Sequence, residues 1–294
     1  MAIIKKNTLS VHPAALYLAL PTLAIVVFFI APLCGTMMMS LQDYSQSLYA
    51  PQFIGLKNYS SLLSDPVFLD AVKHTVIFLL GVVPCMVVLP VFLALLVNTQ
   101  LRGIQMFRSM IYLPVVISLA VVGITWRWLY AQDGLLNWVI QTLGLPKVDW
   151  LVNPDIALFS IMVVVIWKGL PYYMMMYLAH LQQLPQSLQD AAKIDGAGGM
   201  QQLWHIIVPH LKPSMTMVAI ISSIASLKVF TEMYVMTRGG PVGATKTLVY
   251  FIYEQAFENL NLGIACAAGL MLMLVLVAFG ILDIISNKRL SLRR

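Results

Sequence analysis

Six long apolar runs separated by short polar segments organise this chain, near residues 13-39, 73-98, 107-130, 156-182, 212-236 and 263-286. A helix that crosses a hydrocarbon core of about 30 Å takes roughly 20 residues, and each run supplies them. The pattern predicts an all-α polytopic membrane protein with six transmembrane helices. The first run follows Lys5 and Lys6 as a signal peptide would. Its apolar part, Ala14 to Met39, is too long for a signal core, and no small-x-small cleavage site follows, so an uncleaved helix is expected. No internal repeat and no Ser- or Pro-rich linker divides residues 1-294, which read as a single transmembrane domain.

Composition agrees with the pattern. Of 294 residues, 60% are apolar and 10% charged, and the mean hydropathy is +0.85, far from the average soluble domain. Basic residues orient the spans, because Lys and Arg are retained on the cytoplasmic side. Lys5, Lys6, Arg102, Arg108, Lys193, Lys212, Lys288, Arg289, Arg293 and Arg294 fall at one set of ends. The alternate loops hold Lys57, Lys73, Arg127, Lys147, Arg238 and Lys246 together with most of the acids. Both termini and the fourth loop are therefore expected in the cytoplasm. The net charge of +6 reads as a topology signal and a match to anionic lipid headgroups. No basic stripe with interleaved aromatics points to nucleic acid.

Candidate chemistry is sparse. Cys34, Cys85 and Cys266 each sit alone in a span, which suggests packing and no disulfide frame. His205 and His210, five apart, lack a supporting acid or Cys, so no metal site is expected. Gly239 to Thr247 looks like a phosphate loop, but two residues too many separate glycine from lysine and no buried strand precedes it. A Gly-Gly-Pro turn is the plainer reading. No nucleophile elbow or coupled acid-base pair is found, so the chain reads as non-catalytic.

The fourth loop, by contrast, is elaborate. Pro185 closes the preceding span, and Ser187-Leu188-Gln189-Asp190 fits a capping box that opens a short helix. Leu184, Leu188, Ala191 and Ala192 recur at helical spacing to give one apolar face. Asp195-Gly196-Ala197-Gly198-Gly199 supplies a turn with positive φ or close backbone approach. A second apolar segment, Leu203 to Val208, is expected to end at Pro209, with Pro213 at the start of the next span. An interfacial helix resting on lipid is one reading of residues 187-209. An Ala-Ala face with a Gly turn favours a protein partner instead.

At these residues the chain resembles the permeases of binding-protein-dependent ABC importers. Asp190-Ala191-Ala192, then Gly196, then Ile206-x-Val208-Pro209 reproduces the spacing of that family's E-A-A-x3-G-x9-I-x-L-P loop, with Asp in place of Glu and Val in place of Leu. Lys193-Ile194-Asp195-Gly196-Ala197 is similar to the carbohydrate subclass, that of maltose, multiple-sugar and glycerol-phosphate permeases. Phe53-Ile54-Gly55-Leu56-Lys57-Asn58-Tyr59, Trp167-Lys168-Gly169 and Thr237-x-Gly239-Gly240-Pro241 extend the likeness along nearly the whole chain. The resemblance implies a type I permease fold in a bacterial or archaeal inner membrane. It implies a second related permease chain, two ATPase chains and an extracytoplasmic solute-binding protein as partners. ATP and Mg would be used by those ATPase chains, with no cofactor on this one. The coupling loop would be Asp190, Ala191, Ala192, Asp195, Gly196, Ala197, Ile206 and Pro209, docked on the ATPase.

Lys168, Lys228 and Glu232 fall within spans, where an unpaired charge costs at least about 2.5 kcal/mol. Lys228 and Glu232, four apart on one helix, read either as a mutual ion pair or as solute contacts. Trp167, Lys168, Tyr172, Tyr173, Phe230, Glu232 and Tyr234 together form the expected solute path, since aromatic faces suit sugar C–H surfaces. Membrane-belt and packing roles are the alternative for each aromatic. A secondary transporter would need midplane acids for ion coupling, and Glu232 alone answers to that. A channel would leave the spacing from Asp190 to Pro209 without a purpose. Oligosaccharides, polyols and glycerol-phosphate-like solutes all remain compatible.

Overall fold

The computed structural model describes residues 13–44, 50–99 and 101–291. Lys5, Lys6, Arg293 and Arg294, part of the basis for the expected orientation, lie outside them. Helix α1 covers residues 13–40 and passes through a π-turn at Val26–Ile30. A two-stranded hairpin follows, β1 (Gln42–Asp43) antiparallel to β2 (Gln52–Phe53), then the short helix α2 (Lys57–Ser64). Asn58 explains the family-like motif that contains it. Buried, it donates through Nδ2 to the carbonyls of Ser40 at 2.8 Å and Gln42 at 2.9 Å, tying the end of α1 to the hairpin.

Helix α3 (Pro66–Val97) begins well before the expected 73, because Asp65 and Pro66 form a start signal that the apolar pattern does not show. The Asp65 carboxylate accepts from the Val67 amide at 2.9 Å, and Pro66 sits where a missing N–H costs nothing. The third run is not the single span expected over 107-130. It is α4 (Ile104–Val116) and α5 (Leu119–Leu129), bent by 95°. Pro114 lies in the last turn of α4, and Ser118 caps the start of α5 by accepting from the Val121 amide at 3.4 Å. A short helix α6 (Leu135–Thr142) precedes α7 (Pro154–Leu181), the fourth span.

Beyond α7, the chain forms α8 (Gln186–Ile194) and then α9 (Gly199–Leu227). The expected fifth span at 212-236 is corrected at both ends. Pro209 does not stop the helix. A π-turn at Leu203–Ile207, with the Val208 amide bonded five residues back to Leu203, carries the chain past the prolines at 209 and 213. At its other end α9 stops at Leu227, and the chain restarts as α10 (Thr231–Met236). Helix α11 (residues 248–258) and the last span, α12 (Leu262–Ser291, expected at 263-286), complete the chain. Among the described residues five helices are long and apolar enough to cross a membrane, six if the bent pair α4–α5 counts as one broken span.

The bundle centres on α3, α7 and α9, whose Phe78, Val82, Ile161, Val164, Met174, Tyr177, Leu211 and Val218 are buried together. Between helices in lipid, close packing does the work that water exclusion does elsewhere. At Gly169 the tip of Met86 occupies the place a Cβ would take. The Tyr177 hydroxyl donates to the Val87 carbonyl at 3.0 Å across the same contact, worth about 0.6 kcal/mol in a membrane. A second cluster, Leu62, Phe68, Leu248, Phe251 and Ala267, joins α2, α3, α11 and α12.

Candidate functional site

The breaks in the third and fifth spans meet at one place. Between them, α3 and α7 wall a cleft of about 330 Å³ lined by Phe78, Val82, Met86, Val115, Leu119, Lys168, Tyr172, Tyr173, Ser222, Ser226, Lys228, Thr231 and Glu232 among others. Each break has a physical cost, because a helix that ends inside a bilayer leaves carbonyls or amides without partners. Lys168 answers for one of them. From α7 its ammonium donates to the carbonyls of Pro114 at 2.9 Å, Val115 at 3.4 Å and Ile117 at 2.7 Å, at the C-terminal end of α4, where a cation is also favoured by the helix dipole.

Glu232 is buried in the first turn of α10, and the opposite charge it feels is that of Lys168. The expected pair of Lys228 with Glu232 on one helix face is not formed. Lys228 is the C-cap of α9, exposed toward the cleft, while Glu232 belongs to the next helix. Among the described residues no ion pair joins the two. Helices α5 and α10 pack closely on each other, a Cβ at Gly123 falling 3.0 Å from Val235.

Of the seven residues expected on the solute path, Lys168, Tyr172, Tyr173 and Glu232 line this cleft. Trp167 packs edge-on against Trp126 at 5.4 Å. Phe230 and Tyr234 stack on each other at 5.4 Å just beyond the cleft. Sequence reasoning missed the wall from the second span, Phe78, Val82 and Met86, whose apolar residues carry no signal that separates a cavity lining from a core. It also missed Ser222 and Ser226, small polar residues whose spacing of four on one helix face could have marked them.

The candidate coupling segment stands at the opposite end of α9 from that span's break. No capping box opens α8. Pro185 is the N-cap, Ser187 lies inside the first turn, and Asp190 pairs loosely with Lys193 at 3.3 Å. The helix ends instead in a Schellman turn: the Gly196 amide donates to Lys193 and the Ala197 amide to Ala192, with Gly196 at φ +76. A Cβ on Gly196 would meet nothing, so within this chain the glycine answers to its left-handed backbone alone. The apolar face is split. Leu184 and Ala192 are buried against the bundle, while Leu188, Ala191 and Ile194 face outward, with Asp190, Asp195 and Pro209 also exposed. Ala197 and Ile206 are half-buried. The next helix begins with half of a capping box, the Gly198 amide donating to Gln201 Oε1 at 2.9 Å.

The phosphate-loop lookalike is a closed turn. Gly239 and Gly243 take positive φ, the Lys246 ammonium donates to both Glu254 oxygens at 2.6 and 2.8 Å, and the Thr237 and Thr245 hydroxyls pair at 2.6 Å. Its lysine is already held.

Residues 61–291 match a family described as the binding-protein-dependent transport system inner membrane component. The chain belongs to this family. As a member of it, the protein is a multi-pass membrane permease of the ABC importer kind. It is 34% identical to a probable ABC transporter permease protein, YurN, of Bacillus subtilis over 90% of this chain and 92% of that one. Identity is also 34% to the trehalose/maltose transport system permease protein MalF of Thermococcus litoralis, over 89% of each chain. To the sn-glycerol-3-phosphate transport system permease protein UgpA of Agrobacterium fabrum it is 32%, covering 86% and 87%. In fold the permease is similar to a chain of a bacterial ABC transporter involved in the import of the acidic polysaccharide alginate, with a TM-score of 0.82, 23% identity and 93% and 95% coverage.

Proposed function

We propose that this permease is half of the translocation path of an ATP-driven importer of a sugar or a related polyol or sugar phosphate. The solute passes through the cleft between the two helix breaks. The work arrives through α8 and the turn after it, which dock on an ATP-binding subunit in the cytoplasm. The observation that carries this reading is the outward face of that segment: Leu188, Ala191, Ile194, Met200 and Trp204 are exposed at one end of the bundle beside a Schellman turn. An exposed apolar face next to an open glycine fits a protein groove better than water.

A second permease chain completes the path. Helix α1 contacts the rest of the protein chiefly through its residues 31–40 on α12, and from Tyr17 to Ile30 it is exposed on all sides. A related chain beside it would cover that surface. A solute-binding protein delivers the solute at the end opposite α8, as the family's description and the relatives' roles support. Both termini then lie in the cytoplasm of a bacterium or archaeon, ATP and Mg are handled by the partner ATPases, and this chain catalyses nothing.

The test is uncoupling. Gly196→Val and Asp190→Lys, each in the assembled transporter, should leave the chain inserted and the binding protein's affinity unchanged while abolishing solute-stimulated ATP hydrolysis and uptake. Normal stimulation in both variants would end the docking proposal.

A further inference from the structure

We infer that the polar cavity between the end of α3, the start of α4 and the corner joining α7 to α8 holds the phosphate group of an anionic phospholipid from the adjoining leaflet. This goes beyond the permease reading and rests on it in one respect, that α8 stands at the cytoplasmic end. The cavity measures about 610 Å³, and Asn98, Thr99, Gln105, Arg108, Gln182 and Gln186 supply its polar wall. No Asp or Glu lines it. Arg108 is half-buried, and among the described residues no carboxylate pairs with it. It donates through Nε at 3.2 Å and Nη2 at 2.7 Å to the Val97 carbonyl at the end of α3, which fixes the guanidinium and uses two of its five N–H donors. A half-buried charge without a counter-ion is costly, and the donors that remain call for an anion.

The rest of the wall adds donors to that charge. Among the described residues the carboxamides of Asn98, Gln105, Gln182 and Gln186 have no side-chain hydrogen bond, so their N–H groups are free to donate. Ile104 and Gln186, each the first residue of its helix, bring the amide ends of α4 and α8 to the same cavity, and neither end is closed by a side-chain cap. The flank of the cavity favours a lipid over a free anion. Met106, Phe107, Met110 and Leu113 are exposed on α4, and Leu96 on α3, an apolar surface for acyl chains that starts beside Arg108. Arg102, exposed in the turn before α4, adds a second cation there. A basic pocket between spans at the cytoplasmic side suits an anionic headgroup in this way.

Native mass spectrometry of the full chain, alone and in the assembled transporter, reads which lipid stays bound when phosphatidylglycerol, phosphatidylcholine or inorganic phosphate is added. Both forms should retain phosphatidylglycerol in preference to phosphatidylcholine. Gln182→Glu sets a like charge in the cavity and leaves the contact of Arg108 with Val97 alone, and it should weaken that retention about ten-fold. Gln183→Glu, the same charge change on an exposed neighbour outside the cavity, should leave it unchanged. Arg108→Gln should weaken retention as strongly, and Arg108→Lys should keep much of it. Should Arg108→Gln fail to fold, the Gln182 and Gln183 variants decide alone. Equal retention of the two lipids overturns the inference, as does an equal loss in Gln182→Glu and Gln183→Glu, the mark of diffuse surface charge. Inorganic phosphate that displaces the lipid at matched concentration would make this a site for a free anion. Retention by the chain alone but not by the assembled transporter would mean that the ATP-binding subunit fills the cavity, and either result also overturns the inference. The permease reading fails separately, by uptake that persists without this chain.

Discussion

Lys168 carries the most physical consequence of any single side chain here. Its ammonium replaces the amides that the carbonyl end of α4 would find if the third span ran on. Removing it would leave those carbonyls without their charged donor, and charged hydrogen bonds of this kind are worth about 1.5 to 3 kcal/mol. Lys168→Met should therefore lower the melting temperature of the purified protein and reduce uptake, while Lys168→Arg, which keeps the positive charge and N–H donors, should recover much of both; an unchanged melting temperature in Lys168→Met would show that water serves the carbonyls instead. Gly196 is a different case. Its φ of +76 opposes any side chain, so even Gly196→Ala should cost about 1 kcal/mol at the end of α8. On the proposed reading that loss appears as slower solute-stimulated ATP hydrolysis at unchanged membrane level, and an unchanged rate would mean that the turn's shape is not what the partner reads.

Among the elements, the hairpin and α2 act as a clasp that seats the end of α1 on α12. Asn58 supplies two hydrogen bonds to it, and a Cβ on Gly263 would collide with the Gln42 carbonyl. Asn58→Ala should destabilise by about 1 to 3 kcal/mol, since a buried and a part-buried carbonyl lose their donor. The check is the thermal unfolding of the solubilised protein, with Ser60→Ala, at an exposed neighbour, as the control; equal melting points would mean the clasp adds nothing. The six spans were legible because about 20 apolar residues have few other uses. The breaks were not. Pro114 and Ser118 signal the first, but proline is tolerated inside α3 and α7 as well, so its presence alone decides nothing. The second break, at residues 228–230, has neither proline nor glycine, and its one trace in the sequence is a lysine and a glutamate where a continuous span would have to bury both. The π-turn that carries α9 past Pro209 was equally hidden, because five-residue backbone bonding depends on neighbouring turns and not on any residue type.

As a whole the molecule is built around discontinuities at one level and the exposed α8 segment with its Schellman turn at another, joined by α9, which runs from Gly199 to the break after Leu227. Helix α9 packs against α3 and α7, so on the proposed reading a push at α8 would reach the walls of the cleft through it. The exposed length of α1 predicts that the purified assembly contains a second permease chain beside this one, which mass measurement of the detergent-solubilised complex would read directly; a complex with one permease chain would contradict it. The central claim is that α8 is where an ATPase drives this permease, and site-specific cross-linking tests it most directly. In a background of Cys34→Ser, Cys85→Ser and Cys266→Ser, Ala191→Cys should cross-link to the co-purified ATP-binding subunit and block uptake until the link is reduced, while Val242→Cys, at the far end of the bundle, should not. Cross-linking of the ATP-binding subunit to position 242 and never to 191 would contradict the account.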